Sequence, residues 1–223
     1  HWFGGIQVAT ARTAENRFDG LFLAAKGGCN AESHNHNDIG NYVLYAGGEP
    51  AIVDAGVGEY TRKTFSTERY TIWSMQSGWH NLPQFDPDGA KYDQQPGAAF
   101  AAADVSVTDA LDGLAMDLAP AYGSVPGLGR YRRSVHLTDT GLTLRDETDY
   151  PGTVALTLMS VEKPVISGAC VHLGTLAEVK TDGAAKILVE SVPITDARLR
   201  QAWPDTLYRT RVYFTGQLCL TVS

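Results

Sequence analysis

Residues 131–149 read YRRSVHLTDTGLTLRDETD. Arg133, Val135 and Leu137 occupy alternate positions, and so do Leu142 and Leu144 beyond the turn TDTG at 138–141. Alternate side chains of an extended chain share one face, so each run predicts a strand with one side turned inward. The same pattern continues outward. VALTLMSV (154–161) follows the turn DYPG (149–152), and KILVESVPI (186–194), LYRTRVYFT (207–215) and LCLTVS (218–223) come later, after the turn KTDG (180–183). Upstream lie LFLAAK (21–26), NYVLYA (41–46), PAIVDA (50–55), DVSVTDA (104–110) and LAMDLA (114–119). GGE between the second and third of these is hairpin chemistry. Many short strands with regular turns predict an all-β chain folded as a large antiparallel β-sandwich.

Other stretches refine this picture. TERYTIWSMQ (67–76) predicts a short helix, with Thr67 as cap and Ile72 and Met75 on one face. Residues 84–99 are polar, with two Pro and two Gly, and read as a long surface loop. No internal repeat or second domain is visible, so residues 1–223 are read as one β-sandwich domain. The start, HWFGGIQVAT, has no Met and no signal-like pattern, and reads as the interior of a longer protein.

Composition sets the outer limits. The 223 residues are 43% hydrophobic and 19% charged, which is enough for a full core. A net charge of −7 argues against nucleic acid or an acidic membrane as partner. The basic run RYRR at 130–133 reads as a solvated edge strand. No apolar run reaches the roughly 18 residues that a membrane-spanning helix requires. Cys29, Cys170 and Cys219 are odd in number and lack CxxC spacing, which argues against a disulfide framework or a thiolate zinc site. Cys170 and Cys219 lie in apolar runs and read as small core residues.

The chemistry concentrates in ESHNHND, residues 32–38. In an extended backbone His34, His36 and Asp38 would share one face, and Asn35 and Asn37 the other. Both faces are polar, so burial of hydrophobic surface does not explain the segment. A dense polar stretch is costly unless a site employs it. Two imidazoles and a carboxylate suit zinc, with an open position for water. Asp54 interrupts the apolar run PAIVDAG, and His80 sits at the turn SGWHNLP, but spacing by itself does not bring them together. Trp73 and Trp79 could stack on sugar and read more simply as core packing.

The strings AESHNHND, DAGVGEYTRKTFS, RYTIWSMQS and HNLP follow one another within residues 26–83. In that order they resemble the heparinase II/III family of polysaccharide lyases, in its C-terminal β-sandwich domain. The remainder, 100–223, fits that domain by strand pattern alone. The resemblance implies a structural zinc held by His36, Asp54 and His80, with water completing the tetrahedron. It implies that His34 lies by the substrate cleft and takes part in catalysis. The implied reaction is β-elimination of a uronic-acid polysaccharide, in which the proton beside the uronate carboxyl is removed and the glycosidic oxygen leaves. Such chemistry needs a group to meet the carboxylate, a base, and an acid for the leaving oxygen. Glu32, Asn35, Asn37, Tyr60 and Arg62 are candidates for contacts with the anionic polysaccharide, or else polar scaffolding.

Family members also carry an N-terminal helical toroid with the catalytic Tyr, and this sequence has no amphipathic helical array to match it. The expectation is therefore a β-sandwich half with little or no activity alone, from a bacterial protein of the periplasm or cell exterior. Two other readings remain at this level. Gly28, His34 and His36 match the opening of a cupin motif, as in metal oxygenases, but Gly40 and Asn41 stand where that motif wants Glu. A non-catalytic carbohydrate-binding or scaffold module is the other, and it gives no use to a second His away from the metal.

Overall fold

The computed structural model describes residues 1–14, 18–96, 103–107 and 113–223, with 103–107 described as backbone. Its strands form three antiparallel sheets, and among the described residues there is no α-helix. The first sheet runs in sequence order through Trp2–Phe3, Val8–Arg12, Leu21–Lys26, Tyr42–Ala46 and Glu49–Ile52. The second has eight strands, ordered Pro164–Ser167, Cys170–Leu173, Ala177–Asp182, Gln217–Val222, Gly141–Thr148, Tyr131–Thr138, Gly113–Asp117 and Ala103–Val107. The third is ordered Lys186–Pro193, Thr206–Phe214, Val154–Ser160 and Pro83–Phe85. The all-β sandwich expected from the period-two runs is what the chain adopts.

Alternation decides which side chains meet. Tyr131, Arg133, Val135 and Leu137 are buried, as are Leu142, Leu144 and Asp146 on the neighbouring strand. The apolar residues among these join a core that draws Leu23, Leu44, Leu156 and Phe214 from the other two sheets. The strand Val154–Ser160 is buried at every position because both of its faces are covered. Leu158 packs into the main core, whereas its neighbour Met159 points into a second cluster with Val53, Ala55, Leu199 and Leu207. Trp73 and Trp79 pack edge to face at 5.3 Å against that second cluster, so their part is packing.

Several local expectations give way. RYRR is not a solvated edge: its strand lies between Gly113–Asp117 and Gly141–Thr148, and Arg133 is fully buried. The stretch 67–76 is not an α-helix but successive 3-10 turns at Arg69–Thr71 and Trp73–Met75. Each turn ends on extended backbone, at Ile72 and Gln76, so no ladder of i to i−4 bonds develops. The proposed loop 84–99 contains strand residues Gln84 and Phe85, and Gln94 is buried; residues 97–99 lie outside the described ones. Of DVSVTDA, positions 108–110 also lie outside them. Cys170 and Cys219 are half-buried rather than core residues, each on the outward phase of its strand. The GG turn behaves as read, since Gly47 and Gly48 both have positive φ, 59° and 86°, as a two-residue hairpin of the primed type requires.

Candidate metal centre

Three irregular segments converge where the first and third sheets meet. Residues 27–41 link the strands Leu21–Lys26 and Tyr42–Ala46. Asp54 lies two residues beyond the strand Glu49–Ile52, so it escapes the apolar strand that its sequence context suggested. His80 follows the 3-10 turn Ser77–Trp79. Candidate ligand atoms of His36, Asp54 and His80 all lie within 4.8 Å of one another. His80 Nδ1 is 2.6 Å from Asp54 Oδ2, and the rings of His36 and His80 are 5.4 Å apart.

A polar frame holds these segments. Asn81, fully buried, donates its side-chain amide to the carbonyls of Tyr42 and Val53 at 2.7 and 3.0 Å. Its Oδ1 accepts the Met159 N–H, and its own N–H donates to Asn41 Oδ1. One residue thus joins the His36 segment, the Asp54 segment, the His80 turn and the central strand. Asn41 Nδ2 donates to Asp54 Oδ2, and the Gly56 N–H donates to Asp54 Oδ1. Behind them, Arg133 donates to the carbonyls of Gly40 and Asn81 at 3.0 and 2.8 Å while its fork grips Asp146. Gln94 closes the other side, exchanging hydrogen bonds with both N–H and C=O of Ile39.

The electrostatics of the cluster are those of a cation site. Burial favours a neutral Asp54, but the charge and hydrogen bond of His80 and the Gly56 N–H outweigh it and hold the carboxyl well below its ordinary range. Burial pushes His80 down, yet the Asp54 carboxylate raises it more, and the net shift is upward. His36 is pushed down by burial, with His80 adding to the effect. Nε2 of His36 and Nε2 of His80 are both buried without a hydrogen-bond partner. Unsatisfied buried polar atoms cost free energy. Two imidazole nitrogens and a carboxylate are donors that a divalent transition-metal ion accepts, so the residues present fit such an ion.

His34 is placed differently. Its φ is +58°, a left-handed value rare outside glycine, which breaks the extended alternation expected for residues 32–38. His36 consequently turns into the cluster, while His34 is exposed, with its ring 5.7 Å from Tyr60 and 6.1 Å from Phe65. Glu32, Tyr60 and Arg62 are exposed. Asn35 is half-buried: its Oδ1 accepts from the Tyr70 hydroxyl, and its carbonyl accepts two Arg69 N–H groups. Asn37 is buried against the Gln94 carbonyl. Asp38 pairs with Lys26 at 2.9 Å.

Sequence reasoning passed over Asn41, Asn81, Gln94, Arg133 and Asp146, which build the frame. A signal existed for one pair, because Arg133 and Asp146 occupy the inward phase of their strands.

The family model described as heparinase II/III-like, C-terminal, matches residues 4–222. No curated protein sequence matches the chain. Among solved structures, a mutant of heparan sulfate lyase HepC from Pedobacter heparinus superposes with a TM-score of 0.67 at 14% identity, covering 100% of this chain and 35% of that one. A heparinase III gives 0.65 at 16%, covering 97% and 35%. Another heparinase III, with methylated lysines, gives 0.63 at 15%, covering 99% and 35%. The likeness is one of fold, and the chain spans about a third of the length of these structures.

Proposed function

The chain belongs to the heparinase II/III-like C-terminal family, and from that membership we propose that it is the zinc-binding β-sandwich part of a polysaccharide lyase. The lyase cleaves a uronic-acid-containing polysaccharide by β-elimination. One observation carries this reading: a seven-residue segment sends His36 into a buried His–Asp–His cluster and leaves His34 on an exposed aromatic shelf.

His36, Asp54 and His80 would hold the zinc, which supplies fixed positive charge and cross-links three chain segments. Its part is structural. His34 faces the sugar and moves a proton at its imidazole, either from the carbon beside the uronate carboxyl or to the departing glycosidic oxygen. The electron pair of the broken C–H bond becomes the new double bond as the C–O bond opens. Glu32, Tyr60 and Arg62 reach the polysaccharide from the same surface, and Asn35 and Asn37 belong to the supporting frame. The other catalytic groups come from a helical toroid domain, and the isolated chain has little or no activity. A protein of the periplasm or cell exterior fits such a substrate. Among the described residues no helix is long and apolar enough to cross a membrane.

Elemental analysis tests the reading. Wild type should carry about one zinc per chain, His36→Ala should lose it, and His34→Ala should keep it. In the full-length protein His34→Ala should abolish formation of unsaturated product. Iron in place of zinc, or the same behaviour from both variants, would withdraw this division of roles.

A further inference from the structure

We propose that Arg198 is a receptor for the anionic group of a sugar unit, on a shelf it forms with Tyr60, Phe65 and His34; this rests on the polysaccharide reading above. The Arg198 guanidinium lies over the Tyr60 ring, 5.1 Å from its centroid. Tyr60 in turn packs 5.6 Å from Phe65 and 5.7 Å from His34. Tyr60 and Phe65 are 46% and 65% exposed, unusual for aromatic rings that already touch one another. An exposed aromatic surface suits the C–H face of a pyranose ring. Arg198 is itself exposed, so its N–H fork is open to a carboxylate or sulfate oxygen pair.

The shelf is built and not a chance meeting of long side chains. Asp196 Oδ2 accepts the Glu59 N–H at 2.9 Å, and its Oδ1 accepts the N–H groups of Arg198 and Leu199 at 2.9 and 3.0 Å. Those bonds fasten the Arg198 loop to the residue preceding Tyr60. Gly58 permits the approach, because a Cβ there would stand 2.6 Å from Asp196 Oδ2. Trp203 Nε1 donates to the Ala55 carbonyl at 2.9 Å, and Leu199 packs with Val53 and Ala55. The loop bearing Arg198 is thereby locked to the segment that carries both Asp54 and Tyr60. In a protein of net charge −7, a guanidinium fixed over Tyr60, the ring that neighbours His34, directs an anionic sugar to that shelf.

Carboxylate and sulfate present the same chemistry to this fork, and the test separates them. Three oligosaccharides of equal length are titrated calorimetrically into the full-length protein: an unsulfated oligouronate, a sulfated oligouronate and a neutral oligosaccharide. Wild type is compared with Arg198→Ala, after both are shown to carry equal metal. The expected result is about five- to tenfold weaker binding of an anionic ligand by the variant, with the neutral ligand unchanged. Loss confined to the sulfated ligand assigns sulfate, and equal loss for both assigns the uronate carboxylate. Unaltered anionic binding in Arg198→Ala overturns the proposal and leaves the lyase reading standing. No binding of any of the three by wild type overturns that reading and this proposal with it.

Discussion

Arg133 and Asp146 face each other across adjacent strands, fully buried, with two hydrogen bonds of 2.8 and 2.7 Å between them. The remaining donor of the same guanidinium, Nη1, reaches the carbonyls of Gly40 and Asn81. These two carbonyls belong to the segment after His36 and to the residue after His80. A buried ion pair in the sandwich core thus reaches forward to hold the chain segments that present two imidazoles.

Breaking that pair on one side leaves an uncompensated buried charge. Asp146→Asn or Arg133→Met is expected to lower stability by about 3–5 kcal/mol, read from denaturant midpoints. Arg133→Met should also bind the ion more weakly than wild type under conditions where it is still folded. The double variant Arg133→Met/Asp146→Leu should lose less than the sum of the two single changes.

Ion uptake is expected to depend on pH, because both imidazoles must be neutral to ligate. Without the ion, His80 keeps its proton above the ordinary 6.5, since the Asp54 carboxylate overcomes the effect of burial. Binding therefore releases the proton that His80 holds, and affinity falls as pH drops toward and below 6.5. Calorimetry in buffers of different ionisation enthalpy measures that proton. Metal affinity independent of pH between 5 and 8 would contradict it.

In the ion-free protein His80 and His36 pull stability in opposite directions with pH. The raised His80 contributes stability that is present below 6.5 and lost as pH climbs through its folded pKa. The lowered Asp54 contributes stability present above 3.8 and lost as acid is added. His36, lowered by burial, works against His80, adding stability above 6.5 that is lost as pH falls. Going from mildly acidic to alkaline pH, the melting temperature of chelator-treated protein should accordingly lose more in His36→Ala than in wild type, because the variant keeps the His80 contribution without the opposing one.

Gly40 has φ of +87°, and a Cβ there would meet Leu118 Cδ2 at 2.6 Å. Gly40→Ala is expected to cost about 2 kcal/mol through backbone strain and crowding. Its carbonyl is an Arg133 partner, so the loss should extend to ion retention. A thermal melt and a metal assay on the same sample check both effects.

Much of the fold was legible because strand alternation is local. Val135, Leu137, Leu142 and Leu144 announce their inward phase without help from distant residues. The stretch 67–76 misled because its apolar spacing suits a helix, while the backbone turns extended at Ile72 and Gln76 and breaks it into 3-10 turns. RYRR misled because its charge suggests solvent, although Arg133 shares the inward phase of Val135 and Leu137. The candidate ligands were legible through the order of the strings AESHNHND, DAGVGEYTRKTFS and HNLP. The expectation that His34 and His36 share a face failed at one torsion, the positive φ of His34.

The sequence by itself determined the strand content, the hairpin turns and the family to which the chain belongs, since each rests on residue order over a few positions. Tertiary structure alone decided that His36, Asp54 and His80 meet, that Asn81 joins their segments, and that Arg198 comes to rest on Tyr60. Those meetings link residues 18 to 138 positions apart, and they follow from how three sheets and their connecting loops close on a shared core.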